Sequence, residues 1–244
     1  MPSIRSWLPL SLSLLTSATV LGLIIEYTTW LTAADEAIAV GMSGLDHPWA
    51  HPVDTEFWYR LAAVLAAVFS STGGMIILTV TVLALLVLRQ PARAVTVAVM
   101  ILGSWWSSLA LKHLIDRPRP DGVTGWSQSY PSGHVVLVTS VVITAFVLAR
   151  ACSVLVRDLI VVGGVLLIVL VALTRVIAGA HYLTDTFGAV LWGSGAAVML
   201  SGLVPVFVAA VVPRLPARLV GPADAPVPGL PDGFGRTESD QEGR

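Results

Sequence analysis

The sequence predicts an all-α fold, a polytopic membrane helix bundle with about six transmembrane helices. Three observations lead there. Hydrophobic residues make up 55% of the chain and charged ones 12%, with a mean hydropathy of +0.83, more apolar side chain than a soluble domain of this length can bury. The apolar residues gather into six runs near the length that a hydrocarbon core of about 30 Å demands, about 20 residues each. Basic residues, finally, collect in alternate connecting loops, as the retention of Lys and Arg on the cytoplasmic side requires.

Taken in order, the first run covers residues 8–31, with Arg5 in front and a small-residue "TAA" at 32–34 behind. It resembles a signal peptide, but its apolar run exceeds a typical h-region, so an uncleaved helix is expected. Residues 61–70 are also apolar, and the interruption by Ser71, Thr72, Gly73 and Gly74 predicts a helix lying at the interface before the second span. One long tilted helix is the alternative. The remaining spans are residues 74–88, 94–111, 132–149, 158–176 and 183–212. Residues 213–244 are rich in Pro, Gly and acids without apolar periodicity, and cannot offset the entropy of folding. The chain therefore divides into a six-span domain, 1–212, and a disordered cytoplasmic tail, 213–244.

Six spans put Arg5, Arg89, Arg93, Arg150, Arg157, Arg214 and Arg218 on one side, which should be cytoplasmic, with both termini. The opposite, outer side carries Asp35, Glu36, Asp46, Asp54 and Glu56, together with Trp30, Trp49, Trp58 and Trp126 at interface height. A net charge of −1 and the lack of a basic stripe exclude a nucleic-acid partner. Cys152 is the sole cysteine, which excludes an internal disulfide and a thiolate-rich metal site. His47 and His51 are four apart, but Pro48 and Pro52 argue against a shared helix face and no third ligand is evident, so no metal site is read there.

Three clusters on the outer side remain. Lys112, the only lysine, begins "KHLIDRPRP". Pro118 and Pro120 cannot continue a helix, so Arg119 leaves the helix axis and can fold back over its end. Read alone, this is a snorkelling lysine with lipid-facing arginines, and Arg117 with Asp116 is read as interfacial and paired. The second cluster is "PSGH" at 131–134. Pro131 suits a first helical turn, while Ser132 and Gly133 leave backbone N–H groups free at a positive dipole end that binds anions. His134 sits in that turn with a pKa near neutrality in its unperturbed form. The third cluster is "TRVIAGAHYLTD" at 174–185. His181 and Asp185 share a helix face if the last span has begun by then, and Asp185 would hold one imidazole nitrogen so that the other's lone pair points outward. Each cluster has an ordinary structural reading, but topology sets all three at one membrane level. Together they describe one outward-facing anion site with three cations, a hydroxyl, free amides and two histidines, an inventory suited to phosphoryl transfer.

These residues resemble the type 2 phosphatidic acid phosphatase superfamily, the integral-membrane lipid phosphate phosphatases. Its signatures are Lys-x6-Arg-Pro, Pro-Ser-Gly-His and Ser-Arg-x5-His-x3-Asp, matched here from Lys112, Pro131 and Thr174, with Thr174 replacing the usual serine. The resemblance implies His181 as a nucleophile forming a phosphohistidine, Asp185 orienting it and His134 as general acid. It also implies Lys112, Arg119, Ser132, Gly133 and Arg175 as phosphate-binding residues, with no metal and no cofactor. The implied partner is a lipid phosphate substrate at the plasma membrane: polyprenyl diphosphate, phosphatidylglycerol phosphate or phosphatidic acid, entering by a mouth bordered by spans three to five. Transfer to an acceptor alcohol, with the same catalytic residues, is a second expectation. An anion or lipid transporter is a third, disfavoured because Glu26 is the exception among spans that otherwise hold few ionisable groups.

Overall fold

The computed structural model describes residues 4–43, 56–120 and 128–214, and every regular element among them is helical. Helix α1 (Ile4–Tyr27) is followed by α2 (Thr29–Ser43), then α3 (Glu56–Val68), α4 (Ser71–Val87), α5 (Pro91–Ile115), α6 (Gly133–Leu148), α7 (Val154–Ile177) and α8 (Leu183–Val211). α1, α5, α6, α7 and α8 are each long and apolar enough to cross a membrane, and the α3–α4 pair, bent by 53°, makes a sixth crossing if it is one broken span. The chain is a multi-pass membrane protein. Asp46, Asp54, Trp49, Trp126, His47, His51, Arg218 and nearly all of the expected tail lie outside the described residues.

One element differs from expectation, and one alternative is removed. The first span ends at Tyr27, and the acidic segment that follows it is a second helix carrying Asp35 into the protein, where it is 1% exposed. Between α3 and α4, the Ser70 hydroxyl donates to Ala67 O at 2.7 Å and accepts from Gly73 N at 3.0 Å. One side chain thus closes the first helix and caps the second. The bend at this point rules out the single straight helix.

α8 is the hub of the bundle, packing against α1, α5 and α6. α7 exposes Leu159, Val162, Val165 and Leu166, a surface that only lipid can solvate. Between helices in lipid, close approach and interhelical hydrogen bonds replace the hydrophobic drive. Trp192 Nε1 on α8 donates to Ser107 Oγ on α5 at 3.0 Å, and Gly103 lets Leu200 approach so closely that a Cβ there would lie 2.7 Å from it. Tyr130 is fully buried between α1 and α8. Its hydroxyl donates to Ala18 O at 2.5 Å, its ring lies on Gly22 where a Cβ would come within 2.8 Å, and a Cβ on Gly188 would overlap it. This clamp fixes the segment 128–132 over the ends of α5 and α8. Val135, Val136 and Val138 of α6 pack with Val171 and Ala189 to form the apolar floor.

Candidate active site

α5 stops at Ile115 because Asp116 turns left-handed, φ 45°, with its N–H donating to Lys112 O at 3.0 Å. Aspartate tolerates this conformation better than most residues, and Pro118 and Pro120 prevent any restart. The chain then lies beside 128–129: Ser129 N donates to Arg117 O at 2.8 Å and Gln128 Nε2 to Asp116 Oδ1 at 2.8 Å. Lys112 is buried, its Nζ donating to Gln128 O at 2.7 Å with Ser129 O 3.5 Å away. Arg119 reaches back across the site, where Nη1 donates to Ala180 O at 3.0 Å and stands 3.5 Å from His181 Nε2.

In the second cluster, α6 begins at Gly133 with Ser132 as its N-cap, so Pro131 precedes the helix instead of occupying its first turn. The Ser132 side chain makes no capping bond. Its N–H donates to Asp185 O at 3.2 Å, while Oγ is buried with no hydrogen-bond partner among the described residues. Gly133 opens the helix, and a Cβ there would meet nothing within 4 Å. His134 is half-buried in the first turn, beside the Ala66 backbone and within electrostatic reach of Arg175, His181 and Arg119.

The third cluster is assembled differently from the expected shared helix face. α8 starts only at Leu183, with Tyr182 as N-cap. Gly179, at φ 67°, reverses the chain after α7, and both Ala180 N and His181 N donate to Arg175 O, at 3.1 and 3.3 Å. Asp185, at the third helical position, accepts from Tyr182 N at 2.9 Å through Oδ2, and the same oxygen lies 3.5 Å from His181 Nδ1. That is a charge contact looser than a hydrogen bond, as catalytic pairs often are before ligand binds. His181 is 1% exposed. Burial, which penalises the imidazolium, lowers its pKa from 6.5 to about 4; Asp185 opposes the shift, and Arg119 and Lys112 add to it. The ring is therefore neutral at pH 7. Arg175, also buried, donates from Nη2 to Ala62 O of α3 at 2.8 Å, and its Nε–H has no partner among the described residues.

The structure thus brings His181, Asp185, His134, Arg119, Arg175 and Lys112 around one point, with Ser132 and Gly133 at its edge. Ser132 Oγ and Arg175 Nε are buried there without partners among the described residues, a pattern that a bound polar group would relieve. Among the described residues no group of three or more His, Cys, Asp or Glu side chains suited to a metal ion is assembled. An open groove of about 530 Å³ on α4, lined by Ser71, Thr72, Met75, Ile76, Thr79 and Val80, shares no residue with this cluster.

Arg117 corrects the sequence reading. It is not interfacial and does not pair with Asp116: it is 3% exposed, and its guanidinium bonds to Asp185 Oδ1 at 2.6 Å, to Asp35 Oδ2 at 2.8 Å and to Thr184 Oγ1 at 2.9 Å. Its partners come from α2 and α8, 82 and 68 residues away in sequence, a separation that no local pattern reveals. Tyr130 was missed as well, although an aromatic directly before "PSGH" was a visible signal.

A multi-pass helical bundle that gathers three cations and two histidines where α5, α6, α7 and α8 meet can hold a polyanionic group and move protons on it. Residues 93–208 match the family model of the PAP2 superfamily, in agreement with the resemblance carried by the three signatures. The match contains all eight expected site residues; α1 to α4 lie outside it. A similar solved structure is that of the first transmembrane PAP2 type phosphatidylglycerolphosphate phosphatase from Bacillus subtilis, with a TM-score of 0.62 and 23% identity over 82% of this chain and 96% of that one. At this identity the likeness concerns the fold. No curated protein matches the chain.

Proposed function

We propose that the protein is a metal-independent lipid phosphatase that hydrolyses a lipid phosphomonoester or diphosphate through a phosphohistidine. The observation that carries this is the placement of His181, neutral and fully buried, with Asp185 on Nδ1 and Arg119 on Nε2. A proton on Nδ1 directed at Asp185 leaves the Nε2 lone pair facing the cations that would hold a phosphate. Nε2 attacks phosphorus, the P–O bond to the lipid breaks, and His134 gives its proton to the leaving oxygen. Water then attacks the phosphohistidine, His134 takes the water's proton, and the P–N bond breaks with its electron pair returning to Nε2. Lys112, Arg119, Arg175, Ser132 Oγ and the Gly133 amide balance charge on the phosphoryl oxygens in both steps.

The working unit in this reading is 1–212, in the plasma membrane, with the site on the outer face and both termini cytoplasmic. Cys152, the sole cysteine, is exposed between α6 and α7 on the proposed inner side. A membrane-impermeant maleimide should therefore label it only after cells are permeabilised; labelling of intact cells would invert the topology.

The function is tested by phosphate release from purified protein in detergent with EDTA, on polyprenyl diphosphate, phosphatidylglycerol phosphate and phosphatidic acid. Release is expected to persist with EDTA and to vanish in His181→Ala. Near-wild-type turnover in that variant removes the nucleophile assignment.

A further inference from the structure

Asp185 has two tasks in the site described above, and only one of its oxygens faces His181. Oδ2 serves the imidazole and Tyr182 N, while Oδ1 is held by Arg117 Nη1 at 2.6 Å. Both terminal nitrogens of Arg117 are engaged. Nη1 also donates to Thr184 Oγ1, Nη2 donates to Asp35 Oδ2 at 2.8 Å, and Cζ lies 3.9 Å over the Tyr182 ring. Asp35 is anchored in turn by Thr184, whose N–H donates to Oδ1 at 3.2 Å and whose hydroxyl donates to Oδ2. A planar fork edge-on to two carboxylates and face-on to an aromatic ring is a geometry lysine cannot supply.

We propose that Arg117 and Asp35 are positioning residues for the reaction: Arg117 fixes the Asp185 carboxylate against His181, and Asp35, from outside the segment matched by the family model, limits how much of the Asp185 charge Arg117 neutralises. The inference rests on the phosphohistidine reading. One cation shared by two carboxylates leaves the trio Asp35, Arg117 and Asp185 with one net negative charge, which stays available to the imidazole. Without Asp35, Arg117 would neutralise Asp185 alone and the acceptor facing Nδ1 would weaken. Without Arg117, Oδ1 would lose its shortest bond and the carboxylate would be free to turn, while two buried carboxylates would face each other. The other charged groups facing His181 are Arg119, Lys112 and His134; none of them takes part in the trio.

The test measures kcat, KM and the pH dependence of kcat/KM for Asp35→Asn, Arg117→Gln and Arg117→Lys, on a lipid from the panel that the wild type turns over, with His181→Ala and thermal midpoints alongside. Asp35→Asn should lower kcat about tenfold, the usual cost of losing a group that orients a functional side chain, with KM nearly unchanged because the phosphate cations are untouched. Its acid limb should move to lower pH, since a negative charge near the imidazole is lost, and that of Arg117→Gln should move to higher pH, since a positive one is lost. Arg117→Lys should not restore kcat, whereas Asp35→Glu should recover part of it. Thr184→Val, which removes hydrogen bonds but no charge, should lower the thermal midpoint without moving the acid limb. If Arg117→Gln does not fold, the direction of the Asp35→Asn shift decides alone. Wild-type kcat in Asp35→Asn, or losses that follow the midpoint with unshifted acid limbs, reduce the trio to a structural ion pair and overturn the inference. Retained activity in His181→Ala instead overturns the function on which it rests.

Discussion

Replacing Asp185 by asparagine tests the site at its most connected point. Three donors converge on this carboxylate: Arg117 Nη1 at 2.6 Å on Oδ1, Tyr182 N at 2.9 Å and His181 Nδ1 at 3.5 Å on Oδ2. An amide offers one acceptor oxygen and one NH2 group. With its oxygen towards Tyr182 and His181, the NH2 opposes Arg117; with its oxygen towards Arg117, the NH2 opposes both others. Either way one buried donor meets another. Arg117 keeps Asp35 and Thr184, so the loss of stability should be about 2–3 kcal/mol, below the roughly 3–5 kcal/mol of a buried charge left with no partner. Activity should fall further than stability. An NH2 against Nδ1 stabilises the tautomer that carries its proton on Nε2, and loss of the orienting carboxylate in a comparable histidine system costs about 10⁴-fold. Steady-state phosphate release and thermal unfolding in the same detergent separate the two effects. A folded Asp185→Asn protein with kcat within about tenfold of wild type would refute the role of Asp185 in orienting the nucleophile.

Three further outcomes are expected. Arg119→Lys keeps the charge but loses the planar guanidinium whose Nη1 reaches both Ala180 O and His181 Nε2, and should lower kcat/KM about 10- to 100-fold; unchanged kinetics would place Arg119 outside the phosphate site. Gly188→Ala drives a methyl into the Tyr130 ring and should cost about 1–3 kcal/mol, with a partial loss of activity because the segment that carries Ser132 must shift; an unaltered unfolding midpoint would refute the clamp. The pKa of His181, lowered from 6.5 to about 4 by burial, keeps the nucleophile neutral until pH falls through about 4, so the acid limb of kcat/KM should lie near there. For the same reason the unfolded chain binds a proton that the folded one refuses between pH 6.5 and about 4, and stability should decline as pH falls across that window. An acid limb near 6.5 would show that His181 is solvated.

The helices were legible because a hydrocarbon solvent imposes length and apolarity on each crossing, and both are local properties of the chain. The order of the crossing helices and the contents of the three clusters followed from that and from residue spacing alone, whereas the separate helix α2 did not. Spacing was a poorer guide where backbone geometry intervened. The four-residue step from His181 to Asp185 suggested a shared helix face, yet the pair meets across a helix start, because Gly179 reverses the chain and Tyr182 caps α8. Pro131 and Ser132 were likewise shifted one step, since the cap falls at Ser132.

What the sequence by itself determined is therefore the class of protein and the residue types gathered at one level of the membrane, because composition, periodicity and motif order are written along the chain. What only the tertiary structure decided is which charges share a partner. Arg117 sits two residues from Arg119 and carries the same charge, but the left-handed turn at Asp116 sends it inward to Asp35 and Asp185, while Arg119 crosses to His181. Coulomb energies depend on distances of a few ångströms and on burial, and both are set by α2, α5 and α8 packing together, not by the order of residues in any one of them.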